Sequence, residues 1–533
     1  MRARMVVTVA TMAGLLAAPV ALRSGGGGAR AATASTIFDG CAAAPTPTKP
    51  MTVVVGQVAC QYLTTHLLGD GIGAPFEYFV PPDCDPKFGV KCPTLYLLHG
   101  FGGDYTEMLG PQGTSPTSDT LSSGWIAAET STPPAAAASQ PWVYAHPSTW
   151  SPASALDMIL VAPLGQTLKG GYGPDPAGQD SYWADWNPKY ALNGSSQRYT
   201  TPPPRFESFL IDELAPFVEA NLPAGSGRDY RAIAGVSLGG YGAYKNGLQH
   251  PDEWTTMMSV SGAHNFLFGP APQPAGVTSP VGVSSPIPIA YTPLPAPTGA
   301  VPVGALPSQV GTFLTALDAL GDPAADQAYF RGNMPPDLAM NARAYTATST
   351  QAFGIDGFWN NIVQTQPADA GGIPFEVLVT PMNVDMEEAF AAQGVANTWA
   401  IHQGDHSDVY RTAWFRGLEQ FAYDRLQHAG RSAGPLLPPP PATFDYRSIK
   451  TDFTIWGWHF KVDRQPVEFL TLRGVSCASL TLQGSGTVTV TPPPSCGFLG
   501  TPPVVNLGNP GPIDEEAGAG TTPVYGQTRS ISF

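Results

Sequence analysis

Residues 232–246, AIAGVSLGGYGAYKN, carry an apolar run to a serine held between glycines, Gly235-Val236-Ser237-Leu238-Gly239, and continue into a helix-forming stretch. Where a strand turns sharply into a helix, the serine is thrust out at the top of a sheet, and its neighbours must be nearly side-chain-free for the backbones to pass. The chemistry on offer is nucleophilic attack by the Ser237 hydroxyl. With 59 glycines in 533 residues a chance match is common, so the motif counts only with partners. A serine hydroxyl needs a histidine to take its proton and a carboxylate to orient that histidine.

For this motif the chain order is serine, acid, histidine. The histidines downstream are His250, His264, His402, His406, His428 and His459. His250 precedes a proline at a helix end, His428 adjoins a proline-rich linker, and His459 belongs to the C-terminal segment. His264 ends a strand, and no further acid-bearing strand separates it from the serine. In IHQGDHSDVYRTAW, His402 lies within a predicted strand, whereas His406 follows Gly404 on the loop just past it. Catalytic groups converge on that edge of open α/β sheets, so His406 is the expected base. The Leu238 N–H is one expected oxyanion donor, and the glycine-flanked turn LLHGFGGD at 97–104 supplies the second.

The elements that must position these groups are legible as short apolar runs: TLYLLHG (94–100), MILVAPLG (158–165), YRAIAGVS (230–237), TMMSVSGAH (256–264), FEVLVTP (375–381) and TWAIHQG (398–404). Alternating with helical patterns, they predict an α/β fold with a mainly parallel central sheet covered on both faces. Phe206, Phe209, Leu210, Leu214, Phe217 and Val218 recur at the three-and-four spacing of a buried helical face.

The opening MRARMVVTVATMAGLLAAPVAL sets Arg2 and Arg4 before an apolar stretch and then small residues, which reads as a signal peptide over 1–31 and an exported protein. In an oxidising compartment the six cysteines are expected as three local disulfides, Cys41 with Cys60, Cys84 with Cys92 and Cys477 with Cys496. Their spacing fits neither a zinc knuckle nor a redox pair, and no metal or organic cofactor is implied. A net charge of −15 with 26 Lys and Arg, none clustered, argues against nucleic acid or an anionic bilayer as partner. A neutral substrate, small or polymeric, is the simpler expectation.

Composition divides the rest. The catalytic domain is expected over 32–430, with a Pro-rich insert at 265–345 whose uncharged core, 269–307, reads as a lid over an apolar pocket. A stiff proline-rich linker occupies 431–443, and 444–533 has the period-two pattern of a small β-rich domain, a candidate for polymer or cell-wall contact.

The stretches YLLHGFGGD, MILVAPLGQ followed by SYWADW, ESFLIDELAPFVEAN, AIAGVSLGGYGAY and GDHSDVYRTAW resemble the esterase D superfamily of α/β-hydrolases, which includes S-formylglutathione hydrolases, feruloyl esterases and secreted mycolyltransferases. The resemblance spans roughly 60–425. It implies Ser237 as nucleophile, His406 as base, the N–H groups of Phe101 and Leu238 as oxyanion donors, and Gly102, Asp185 and Trp186 beside the substrate. For the acid, Asp385 in TPMNVDMEEAFAAQG sits nearest the expected place after FEVLV, with Glu387, Glu376 and Asp356 as alternatives and a first-turn helix carboxylate as the bland reading of Asp385. The leading function is a secreted serine ester hydrolase working through an acyl-enzyme. An acyltransferase to a sugar hydroxyl and an inactive extracellular binding protein are the alternatives.

Overall fold

The computed structural model describes residues 41–43, 52–68, 72–100, 105–109, 158–166, 181–187, 203–266, 319–320, 327–343, 359–364, 375–395, 397–403, 422, 426, 441–464, 467–508 and 527–533. The expected signal peptide, the proline-rich core of the insert, most of the linker, and Phe101, Gly102, Asp356 and His406 lie outside the described residues.

Among the described residues the large sheet contains nine strands: β1 (Ala42–Ala43), β2 (Val58–Thr65), β3 (Ile72–Phe79), β4 (Thr94–Leu98), β5 (Ile159–Pro163), β6 (Arg231–Val236), β7 (Thr256–Val260), β8 (Trp359–Gln364) and β9 (Thr398–Gln403). Their order across the sheet is β1-β2-β3-β5-β4-β6-β7-β8-β9. From β5 through β9 every pairing is parallel, while β3 runs antiparallel to both β2 and β5. β4, β5, β6 and β7 are buried along their whole length, as near-continuous apolar runs between two helical layers must be. The expected buried helix forms as Phe206–Ser208, a π-helical Phe209–Leu214 and α1 (Ala215–Asn221), with Phe206, Phe209, Leu210, Leu214 and Val218 in the core. α2 (Leu238–Gln249) follows β6 directly.

One expected strand is not a strand. Residues 375–381 open the helix α3 (Phe375–Gln393), and the place beside β7 is taken by Trp359–Gln364 instead. Pro381 reads in the sequence as the end of a strand, yet it stands inside this helix. The deciding signal is downstream: Met382, Met386, Ala389 and Phe390 are buried at helical spacing, and that face packs into the core. Asp385 accordingly lies in the middle of α3, neither directly after a strand nor in a first turn.

The C-terminal part forms two four-stranded antiparallel sheets. One has the order β10 (Phe444–Ser448), β13 (Leu470–Val475), β14 (Ser479–Gly484), β17 (Gln527–Ser532); the other has β11 (Asp452–Ile455), β12 (Trp458–Asp463), β15 (Thr487–Thr491), β16 (Val504–Asn506). Alternate residues point inward, so Phe460, Leu472, Leu482, Val488 and Val490 share one apolar core. The three disulfides join the expected cysteines, and no free cysteine remains.

These sheets dock on the part of the chain built around the nine-stranded sheet through polar contacts. Tyr446 donates its hydroxyl to the carbonyl of Gln249, the last residue of α2, at 2.7 Å. Asn341 accepts from the Arg447 N–H at 2.8 Å and donates to the Arg447 carbonyl at 3.1 Å, and the Trp456 N–H donates to Asp252 at 3.0 Å. The centre of the docking is Glu207, whose carboxylate meets Lys245 of α2, His250 and, from the C-terminal part, Lys450. Burial alone would push the Glu207 carboxyl up; the facing ammonium groups and the His250 hydrogen bond instead hold it well below its ordinary value of 4.5.

A depressed carboxyl contributes stability that is present above its unfolded pKa and is lost as pH falls through its folded one. Glu207→Leu should therefore destabilise the fold by about 3–5 kcal/mol at pH 7, because buried Lys245 loses its counter-charge and keeps only neutral acceptors. It should also flatten the loss of stability below pH 4.5. Urea denaturation across pH checks both; a change under about 1 kcal/mol would show that Lys245 finds another partner.

Candidate active site

The site grows from the junction of β6 and α2. Ser237 sits there at φ 54°, ψ −117°, a left-handed backbone that non-glycine residues adopt only under constraint, at a cost of about 1–3 kcal/mol. Hydrogen bonds impose it. The Ser237 N–H donates to the Val260 carbonyl at 2.9 Å, and its carbonyl accepts from Tyr241 at 3.1 Å and Ala263 at 3.2 Å. The Ser237 side chain makes no capping bond to the helix it precedes.

The flanking glycines are required by close approach. A Cβ on Gly235 would run into the Gly239 carbonyl, and one on Gly239 would run into the carbonyls of Leu98 and His99. The first turn of α2 thus lies against the end of β4, where the expected oxyanion loop begins. Leu238 heads that turn, whose N–H groups lack intrahelical partners and carry the positive end of the helix dipole.

His99 is structural. Its Nε2 accepts from the Gly165 N–H at 2.8 Å, which places the ring proton on Nδ1, facing the Gly100 carbonyl at 2.8 Å. The ring also meets Trp183 edge-on at 5.1 Å between centroids. Trp183 is a residue that sequence reasoning passed over. It has φ 48° and is buried where a Cβ on either Gly165 or Gly242 would strike its ring, so two glycines leave its slot.

The expected substrate residues are occupied in packing. Asp185 accepts from the Ser208 N–H at 2.9 Å and the Ser208 hydroxyl at 2.6 Å, holding the start of the Phe206 helix, and Arg205 approaches it at 3.6 Å. Trp186 is buried, with its indole N–H on the Ser181 carbonyl at 3.0 Å. Both line a cleft of about 570 Å³ that also includes Glu207 and Lys450, between the two parts of the chain, and Ser237 is not among its lining residues.

His264 shares its Nε2 with the Ser259 hydroxyl at 3.1 Å and stacks on Tyr244 at 4.3 Å. Desolvation pushes it down to about 3, so it stays neutral as a core residue. Asp385 is fully buried. One carboxylate oxygen accepts from the Asn265 amide at 2.8 Å, and the other has no hydrogen-bond partner among the described residues. Desolvation raises its carboxyl to about 7, against the lowering effect of that hydrogen bond. Glu387 pairs with Asn397 and is half-buried. Leu238, Tyr241, Trp186, Phe266 and Met382 share one apolar cluster, which brings α3 against the first turn of α2.

Residues 173–297 match the family model described as "Putative esterase", and Ser237 with both of its glycines falls inside the match. The match thus takes in β6, α2 and the turn between them. No curated protein matches the chain. Among solved structures, an S-formylglutathione hydrolase from Agrobacterium tumefaciens overlaps 70% of this chain and 98% of its own at 14% identity and a TM-score of 0.40. A ferulic acid esterase from Anaeromyces mucronatus overlaps 70% and 94% at 14% identity and 0.36, and MPT51 of Mycobacterium tuberculosis 69% and 99% at 14% identity and 0.34.

If the Gly239 contact sets the nucleophile turn, Gly239→Ala should lower ester turnover at least a hundredfold, whereas Ser226→Ala, a change at an exposed position, should leave it unaltered. Turnover of a short-chain p-nitrophenyl ester, with far-ultraviolet dichroism to verify folding, tests it; a folded, fully active Gly239→Ala protein would refute the constraint.

Proposed function

We propose that this chain is an exported serine carboxylic-ester hydrolase. The observation that supports this most is the left-handed Ser237, held between β6 and α2 against the end of β4 inside the esterase-family segment. The Ser237 hydroxyl attacks the ester carbonyl as His406 takes its proton. The resulting oxyanion is held by the N–H groups of Leu238 and Phe101. Collapse breaks the carbonyl–alkoxy bond, the alcohol leaves with the proton from His406, and an acyl-enzyme remains. Water then attacks it with His406 again as base, releasing the acid and restoring the serine. Export is supported by the N-terminal pattern and the three disulfides. The ester is neutral or apolar, in keeping with the apolar cluster beneath Leu238.

Asp385 is the proposed acid. A buried carboxylate oxygen without a donor is costly, and an imidazole N–H is the group that would satisfy it. The connection after β8, residues 365–374, lies outside the described residues and carries one other carboxylate in the sequence, Asp369.

Ser237→Ala and His406→Ala should each reduce kcat by several orders of magnitude, since the triad acts as a unit. Asp385→Asn should cost about a thousandfold or more, whereas Asp369→Asn should retain most activity. The reverse result would move the acid to the connection after β8. With a carboxyl near 7 that must be ionised to work, kcat/KM should rise through pH 6–8. Because this acid is raised on folding, the same ionisation lowers stability as pH climbs between 3.8 and about 7, a slope that Asp385→Asn should remove.

A further inference from the structure

The loop leaving β7 is tied to both sides of the site. At its start Ser261 has φ 48°, the Ala263 N–H binds the Ser237 carbonyl, and the Gly262 carbonyl accepts from Asn383 of α3 at 2.8 Å. Two residues past Ala263, Asn265 is buried and points its amide at Asp385. Only the NH2 end of an asparagine can face a carboxylate, so the orientation of Asn265 is determined by its partner. Its 2.8 Å bond goes to Oδ2 and leaves Oδ1 unpartnered among the described residues.

We infer that Asn265 is a positioning residue for the reaction: its amide fixes the Asp385 carboxylate through one oxygen and leaves the other able to accept, and the same loop fixes the backbone of Ser237. The inference rests on the proposed role of Asp385. Neither partner of this bond was linked to the other by the sequence, since 120 positions separate them.

Other charges facing Asp385 cannot replace the amide. Asp337 and Glu388 oppose its ionisation, and Arg331, which favours it, is bound by the Asp337 carboxylate through both Nε at 3.1 Å and Nη2 at 2.5 Å. Arg447 of β10 also approaches Asp337, at 3.6 Å. Asn265 is the direct donor to Asp385 among the described residues, and a hydrogen bond to the charged form is what favours ionisation in a desolvated setting.

The test compares kcat/KM for p-nitrophenyl acetate from pH 5 to 9 in the full-length protein, its Asn265→Ala and Asn265→Asp variants, and Asp385→Asn. In Asn265→Ala the acidic limb should move up by about one pH unit, giving roughly a tenfold loss at pH 6 and a smaller one at pH 9. Asn265→Asp is nearly isosteric, adds a like charge and should move the limb further, which keeps the inference testable if the alanine variant misfolds. In a Ser237→Ala background, carbon-13 titration of the Asp385 carboxyl should show the same upward shift without any reliance on turnover. An unmoved limb in both Asn265 variants, with Asp385→Asn inactive, overturns the positioning role alone. Full activity in Asp385→Asn overturns the acid assignment and this inference with it, whatever the titration shows.

Discussion

The backbone of Ser237 is the constraint on which the rest of the site depends. A left-handed serine persists only where its surroundings impose it, and here the supports come from separate parts of the chain: the Val260 carbonyl on β7, the Ala263 N–H on the following loop, and the end of β4 pressed against Gly239. The parallel register of β4, β6 and β7 makes these meet. Leu98 pairs with Gly235, and Val260 with Val236, so three strand ends finish on one edge and the turn that leaves the middle one is clamped by its neighbours. Glycine at 235 and 239 is then dictated by distance, because either side chain would separate the helix from the sheet.

A second constraint reaches the same helix from its far end. Lys245 and Gln249 lie on α2, and Gln249 offers its carbonyl to Tyr446 while its side chain accepts from Lys245 at 2.7 Å. Glu207 sits between Lys245 and Lys450, so the charge balance of a fully buried lysine on α2 depends on a carboxylate that the C-terminal part also grips. The C-terminal part, read from the sequence as a small domain beyond a linker, is therefore attached through α2, the helix that Ser237 precedes. The docking contacts and the packing of α2 thus share Glu207 and Gln249, even though Ser237 does not line the cleft between the two parts.

Much of this was legible in the sequence because it depends on local pattern. Gly-x-Ser-x-Gly after an apolar run identifies a strand-to-helix elbow, and the strands from Thr94 to Val260 are continuous apolar runs that hardly fit anything but a buried parallel sheet. The helix from Phe206 was equally plain. The stretch 375–381 was not, because a short apolar run ending at a proline looks alike as a buried strand or as a helix start, and the periodic face that decides between them begins only at Met382. Trp183, His99 and Asn265 were missed for another reason. Their roles are set by partners far along the chain, Gly242 for the tryptophan, Gly165 for the histidine and Asp385 for the asparagine, and local periodicity contains no trace of such pairings.

The position of Asp385 brings two opposing requirements together. A carboxylate that is to orient an imidazole works best away from water, where its hydrogen bonds are strong, yet removal from water favours the protonated form, whose uncharged oxygen is a weaker acceptor and cannot balance an imidazolium. Desolvation dominates at this residue as it stands, which is why its carboxyl is raised to about 7. One amide from Asn265 offsets part of that penalty, and a second donor at the remaining oxygen would offset more. In the proposed mechanism the imidazolium formed when Ser237 gives up its proton would be such a donor, appearing only during the reaction. The buried acid would then be most stabilised at the moment of proton transfer, so the interaction strengthens from ground state to transition state, which is the condition for it to accelerate the chemical step.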